Sequence, residues 1–117
     1  MNVLLIVNEG PYSGERAFNA LRLAAALQGR SDTEKVRMFF VSDGVYAGMP
    51  NQLRPDGNYN IENMLAGVIA GGAEVKLCSV CSDQRGMLAM RLGEGIAIGS
   101  MKELAEWVAV SERIVTF

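Results

Sequence analysis

Val3-Leu4-Leu5-Ile6-Val7 is an unbroken apolar run near the start of the chain. A strand with one wet face alternates apolar and polar residues, whereas a strand covered on both faces does not. This run therefore reads as a strand buried between two layers, the arrangement of a parallel sheet with helices on both sides. The next residues agree with that reading. Asn8-Glu9-Gly10-Pro11-Tyr12-Ser13-Gly14 reads as a loop. A helix is predicted from Ser13 or Gly14 to a stop at Gly29, with Phe18, Leu21 and Ala25 on one face and Ala24 beside them. The loop lacks G-x-G-x-x-G and the P-loop ending, so it reads as a plain strand-to-helix turn rather than a phosphate cradle.

The alternation continues. Val36 to Val41 reads as a second strand, closed by Ser42-Asp43-Gly44. Asp43 lies just past its carboxyl end, where open parallel sheets hold their binding crevice; Asp-Gly is equally ordinary turn chemistry. Val45 to Tyr59 is a long loop with at most a short helical turn. Asn60 is an N-cap candidate, and Ile61, Met64, Leu65, Val68 and Ile69 form a helical stripe stopped by Gly71-Gly72. Ala73 to Leu77 reads as a third strand and Ile96-Ala97-Ile98 as a short fourth. Ser100 and Glu103 fit a capping box for a last helix faced by Met101, Leu104, Ala105 and Val108, with Trp107 beside that face. Ile114 to Phe117 ends the chain as a strand. Strands alternating with helices predict an α/β fold with a mainly parallel sheet, and 117 residues suit one domain spanning residues 1–117.

Both cysteines fall in Lys76-Leu77-Cys78-Ser79-Val80-Cys81-Ser82-Asp83-Gln84-Arg85-Gly86, at C-x-x-C spacing. Cys78 is expected at the carboxyl end of the third strand, with its side chain free to face the crevice. Cys81 falls on a turn or the first turn of a helix, whose N-terminus would lower a thiol pKa. Two readings stand: a reactive thiol, including one that carries sulfur, or two small buried residues filling a core.

Composition narrows the field. Half of the residues are hydrophobic, and 11 basic residues against 13 acidic ones leave a net charge of -2. No basic run or interleaved aromatic patch suggests a nucleic-acid surface. Met1 to Val7 has no basic flank, and no stretch is long and apolar enough to span a bilayer, so neither a signal peptide nor a membrane span is expected. A cytoplasmic location is expected, where thiols stay reduced and C-x-x-C reads as redox or catalytic chemistry before it reads as a structural bridge. The chain has no histidine. That removes Ser-His and Cys-His couples and leaves two cysteines short of a structural zinc set. No metal and no cofactor are expected. The apolar excess in Met87 to Leu92 and in the long loop predicts contact between subunits.

Several short pieces together resemble one family. Gly10-Pro11-Tyr12, Phe18-Asn19, Ser42-Asp43, Tyr59-Asn60-Ile61, Lys76-Leu77-Cys78, Cys81, Arg85-Gly86, and Glu106-Trp107 through Val115-Thr116-Phe117 run in order along the chain. Each is weak alone and specific jointly. In these pieces the sequence resembles the DsrE/DsrF-like sulfur-relay proteins, and most closely their small YchN-type branch. The resemblance implies a three-layer α/β/α fold with five parallel strands, assembly as a trimer or hexamer, and sulfur donor and acceptor proteins as partners. It implies a persulfide on Cys78. Ser79, Arg85 and the local backbone N–H groups are expected to stabilise that charged group, and Asp43 and Gly86 complete the expected substrate-binding set. Relay subunits of the family do not need a cysteine at position 81, so Cys81 is expected to be dispensable for loading. Cys81 could resolve a Cys78 persulfide as a disulfide, or make the protein a thiol-disulfide redox module. A non-enzymatic oligomer with a small-ligand crevice between Asp43, the long loop and Cys78 is the third alternative.

Overall fold

The computed structural model describes residues 1–54 and 56–117. Five strands, β1 (Asn2–Val7), β2 (Lys35–Phe40), β3 (Glu74–Cys78), β4 (Ile96–Gly99) and β5 (Arg113–Thr116), form one sheet in the order β4-β3-β2-β1-β5. Every neighbouring pair is parallel. The helices are α1 (Arg16–Gln28), α2 (Ile61–Ala70), α3 (Ser79–Gln84) and α4 (Met101–Val110). Crossovers between parallel strands are right-handed. The chain steps in one direction from β1 to β4 and then returns across the sheet to β5. That reversal puts α1 and α2 on one face and α4 on the other. The α/β class, the parallel sheet and the helices on both sides agree with the sequence reading.

Burial explains the opening run. Val3, Leu4, Leu5 and Val7 are all buried, because β1 lies between β2 and β5 with helices above and below. Phe39 and Phe40 of β2 point to opposite faces and are both fully buried. Phe39 meets Trp107 of α4 edge-on, at 5.9 Å between ring centroids. Burying a side chain of this kind contributes about 1.5–3 kcal/mol, so β1 and β2 hold much of the core.

Two helix faces differ from expectation and one agrees with it. α1 begins at Arg16, after Glu15, which makes no side-chain cap. Its buried residues are Ala17, Ala20, Leu21 and Ala24, while Phe18 is half-buried and Ala25 exposed. Small side chains let the helix lie close to the sheet, which turns the stripe away from Ala25. In α2 the expected stripe holds, with Ile61, Leu65 and Val68 buried and Asn60 accepting a hydrogen bond from the Asn63 N–H at 2.9 Å. In α4 the capping box of Ser100 and Glu103 is present, yet only Leu104 and Trp107 are buried. Met101, Ala105 and Val108 face outward, because the indole is the largest apolar group of the helix and it takes the sheet-facing position.

The connections also sharpen. The helical turn of the long loop is a 3-10 segment over Ser42–Gly48, starting directly after β2. The share of that loop that falls on Pro55 lies outside the described residues. Within the Met87 to Leu92 stretch, Met87 is buried, Leu88 and Met90 are exposed and Leu92 is half-buried.

Candidate functional site

β3 delivers Cys78 to the carboxyl edge of the sheet as its last residue, and Cys78 is also the N-cap position of α3. Cys81 falls in the first turn of that helix. Both thiols are free. Cys78 was expected to face an open crevice, but it is only 2% exposed. α3 follows with no intervening loop, and both it and the end of β3 pack on the 3-10 segment, so Cys78 lies within the core rather than at an open edge. Cys81 is the more accessible of the two.

The end of β2 supplies the second half of the site. Ser42 sits at φ 52, in the left-handed region that costs a residue with a Cβ roughly 1–3 kcal/mol. That bend directs its N–H to the Cys81 Sγ, 3.2 Å away. Asp43 is next, and its carboxylate accepts from Arg85 through Nε at 3.0 Å and Nη2 at 2.9 Å. Arg85 Nη1 donates to the Cys81 carbonyl oxygen at 3.0 Å, and the guanidinium lies 5.9 Å from the Tyr46 ring centroid. Asp43 is therefore more than a turn residue: it anchors the cation of the site. Gly44 lets this bend form. A Cβ there would overlap the Val7 carbonyl oxygen at the end of β1.

Electrostatics act on Cys81 from both directions. Burial pushes its thiol above the ordinary cysteine value, the Ser42 N–H pulls it down, the neighbouring Cys78 thiol raises it again, and the Arg85 guanidinium lowers it. Lys76, the other local cation, is committed elsewhere. Its ammonium pairs with Glu103 at 2.9 Å and lies 5.0 Å from the Trp107 ring centroid, on the α4 face.

Two of the expected residues stand at the ends of α3. Gly86, at φ 68, closes α3: its N–H bonds to the Asp83 carbonyl at 3.0 Å and the Met87 N–H to the Ser82 carbonyl at 2.9 Å. Ser79 is the half-buried first residue of α3. Among the described residues, neither Ser79 nor Gly86 hydrogen-bonds to a sulfur. Two features escaped the sequence reading. The Ser42 N–H has no signal in the one-dimensional pattern, because its partner is 39 residues away. Ser82 is fully buried, with a hydroxyl that finds no partner among the described residues.

Three cavities among the described residues are lined without either cysteine. The one closest to the long loop, about 270 Å³, is lined by Gly48, Met49, Glu62, Leu65, Glu94 and Ile96 among others, and touches neither Asp43 nor Cys78. Beside Asp43, where the sequence reading places a ligand crevice, the Arg85 guanidinium pairs with its carboxylate. The Tyr12, Phe18 and Tyr59 pieces of the sequence meet instead as a structural cluster. Phe18 stacks on Tyr59 at 4.1 Å, and the Tyr12 hydroxyl accepts the Ile61 N–H at 3.0 Å.

Fold and site together define a layered α/β protein with a Cys-x-x-Cys pair on the carboxyl edge of a wholly parallel sheet. The DsrE/DsrF-like family matches residues 1–117, and the chain belongs to that family. It is 39% identical to the Escherichia coli protein YchN over 115 residues, 98% of this chain and 97% of YchN. An uncharacterised protein of Methanopyrus kandleri is 36% identical over 98% of this chain and 93% of its own length. The crystal structure of E. coli YchN superposes with a TM-score of 0.93 at 38% identity, covering 100% of this chain and 99% of that one. A Methanobacterium thermoautotrophicum protein of unknown function shares the fold at a TM-score of 0.79 and 13% identity, over 99% of this chain and 98% of its own. Among the described residues, no helix is long and apolar enough to cross a membrane.

Proposed function

We propose that this protein is a sulfur carrier that holds sulfane sulfur as a persulfide on Cys78 and passes it to a protein acceptor. The observation that carries this reading is the placement of two free, neighbouring thiols where β3 ends, with the Ser42 N–H and the Arg85 guanidinium beside them. A persulfide is anionic near neutral pH, and hydrogen bonds to a charged group are the strong ones. Burial of Cys78 shields a stored persulfide from thiols in solution. Membership of the DsrE/DsrF-like family supports the same reading. It goes with donor and acceptor proteins as partners, a reducing, cytoplasmic setting, and a homo-oligomeric carrier.

A second reading, the dithiol redox module, draws on the same neighbouring thiols. Intact-mass analysis of protein purified without reductant separates the two. A carrier gains the mass of one sulfur atom, lost on adding reductant. A redox module instead loses two hydrogens by forming a disulfide and gains no sulfur. Protein that shows no added sulfur, even after incubation with a persulfide donor, is not a carrier.

A further inference from the structure

The two cysteines differ in the one property that decides which meets a donor first. Cys78 is 2% exposed, whereas Cys81 is only partly buried. The Ser42 N–H and the Arg85 guanidinium are also both directed to Cys81, one at its sulfur and one at its carbonyl. Ser82 stands apart from these. It lies within α3, whose N-cap is Cys78. Its hydroxyl is fully buried and has no partner among the described residues, and a buried polar group without a partner calls for an explanation. The more accessible sulfur thus has the Ser42 N–H already on it, and among the described residues the buried sulfur accepts no such bond.

We propose that Cys81 receives the sulfur from outside and Cys78 keeps it, so that sulfane sulfur passes between the two thiols inside the motif. This rests on the persulfide reading above and departs from the expectation that Cys81 is dispensable. In the first step the Cys81 thiolate attacks the outer sulfur of a donor persulfide, R–S–SH. A new S–S bond forms as Cys81–S–SH, the donor S–S bond breaks, and R–S⁻ leaves and takes up the proton that Cys81 gave away. In the second step the Cys78 thiolate attacks the outer sulfur of Cys81–S–SH. Cys78–S–SH forms, the S–S bond at Cys81 breaks, and the proton released by Cys78 returns to the Cys81 sulfur. Neither step changes the total number of electrons on the protein and donor, so no oxidant is required.

The geometry suits the second step. Negative charge returns to the Cys81 sulfur as the bond breaks, and the Ser42 N–H is already aimed at that atom, so no reorganisation is needed to stabilise it. Cys78 ends β3 and Cys81 stands in the first turn of α3, three residues on in the same chain, so the transfer is intramolecular.

The test uses glutathione persulfide as donor, rapid quenching with an alkylating reagent, and peptide mapping that separates Cys78 from Cys81. In the wild-type chain, added sulfur is expected on Cys81 first and on Cys78 later. In Cys78→Ser, sulfur is expected to stay on Cys81. In Cys81→Ser, loading of Cys78 in the folded protein is expected to slow by about tenfold or more, because access then needs local opening, and to recover in urea. Circular dichroism establishes that each variant is folded, and the order of labelling in the wild-type chain needs no variant at all. Sulfur on Cys78 before Cys81, or wild-type loading of folded Cys81→Ser, overturns the relay and leaves the carrier reading standing. Absence of sulfur from every form removes the carrier reading and the relay with it.

Discussion

The Ser42 N–H donates to the Cys81 sulfur across 3.2 Å, from a residue held in the left-handed region at the end of β2. Two neighbouring strands thus build the site together: β3 and α3 bring the sulfurs, and the bend after β2 brings the donor and, through Asp43, the cation.

The Cys81 thiol should titrate above an ordinary cysteine, burial being the main cause. Its alkylation should be slow at neutral pH and rise with pH to a plateau beyond the range of a free thiol. A thiol whose folded value is raised contributes stability below its unfolded value, lost as pH rises through the folded value. Cys81→Ser should flatten that alkaline loss in denaturant titrations run at several pH values. An alkylation midpoint at or below that of a free cysteine would contradict this.

Arg85→Gln should raise the Cys81 titration further, since the guanidinium is one of the groups that lower it. The pair with Asp43 is partly exposed, so unfolding free energy should change by no more than about 1 kcal/mol. Alkylation kinetics at pH 8 should therefore shift while the urea midpoint barely does.

Gly44→Ala should destabilise the fold by about 1–3 kcal/mol, because the added methyl meets the Val7 carbonyl rather than a movable side chain. The same shift displaces Ser42, so Cys81 reactivity should change with it. Urea unfolding and alkylation rate, measured on one preparation, check both parts.

Ser100→Ala should cost about 1 kcal/mol, since its hydroxyl accepts the Glu103 N–H at 3.1 Å and Glu103 returns a bond to the Ser100 N–H. Sulfur loading should be unaffected. A normal urea midpoint would mean that the cap contributes nothing to stability.

Met101, Val108, Val110 and Ile114 are exposed on and beside α4, and Leu88 and Met90 in the connection after α3. Light scattering at micromolar concentration should show a closed homo-oligomer, with a trimer or hexamer expected. A particle of monomer mass only would remove that expectation.

Local signals were legible in the sequence. The unbroken run of β1, the Asn60 cap and the Ser100–Glu103 box each depend on residues within a few positions of one another. The α1 and α4 faces were misread because apolar size was weighed without the sheet: alanines bring α1 close, and Trp107 claims the inner side of α4. The C-x-x-C pair and Asp43 could be named from spacing and strand ends. The burial of Cys78 could not, since it depends on how α3 and the 3-10 segment pack. The Tyr12 bond to Ile61 spans 49 residues and the Ser42 bond to Cys81 spans 39, distances over which a sequence pattern carries no phase.

Trp107 is the chain's single tryptophan. It is buried edge-on against Phe39, with the Arg37 guanidinium 5.8 Å and the Lys76 ammonium 5.0 Å from its ring centroid. Its intrinsic fluorescence therefore reports one event, the seating of α4 on the face of β2 and β3. Emission that moves to longer wavelength while far-ultraviolet dichroism holds steady would mark α4 lifting off an otherwise intact sheet. The protein carries its own optical gauge for that face, free of any signal from the sulfur site at the strand ends.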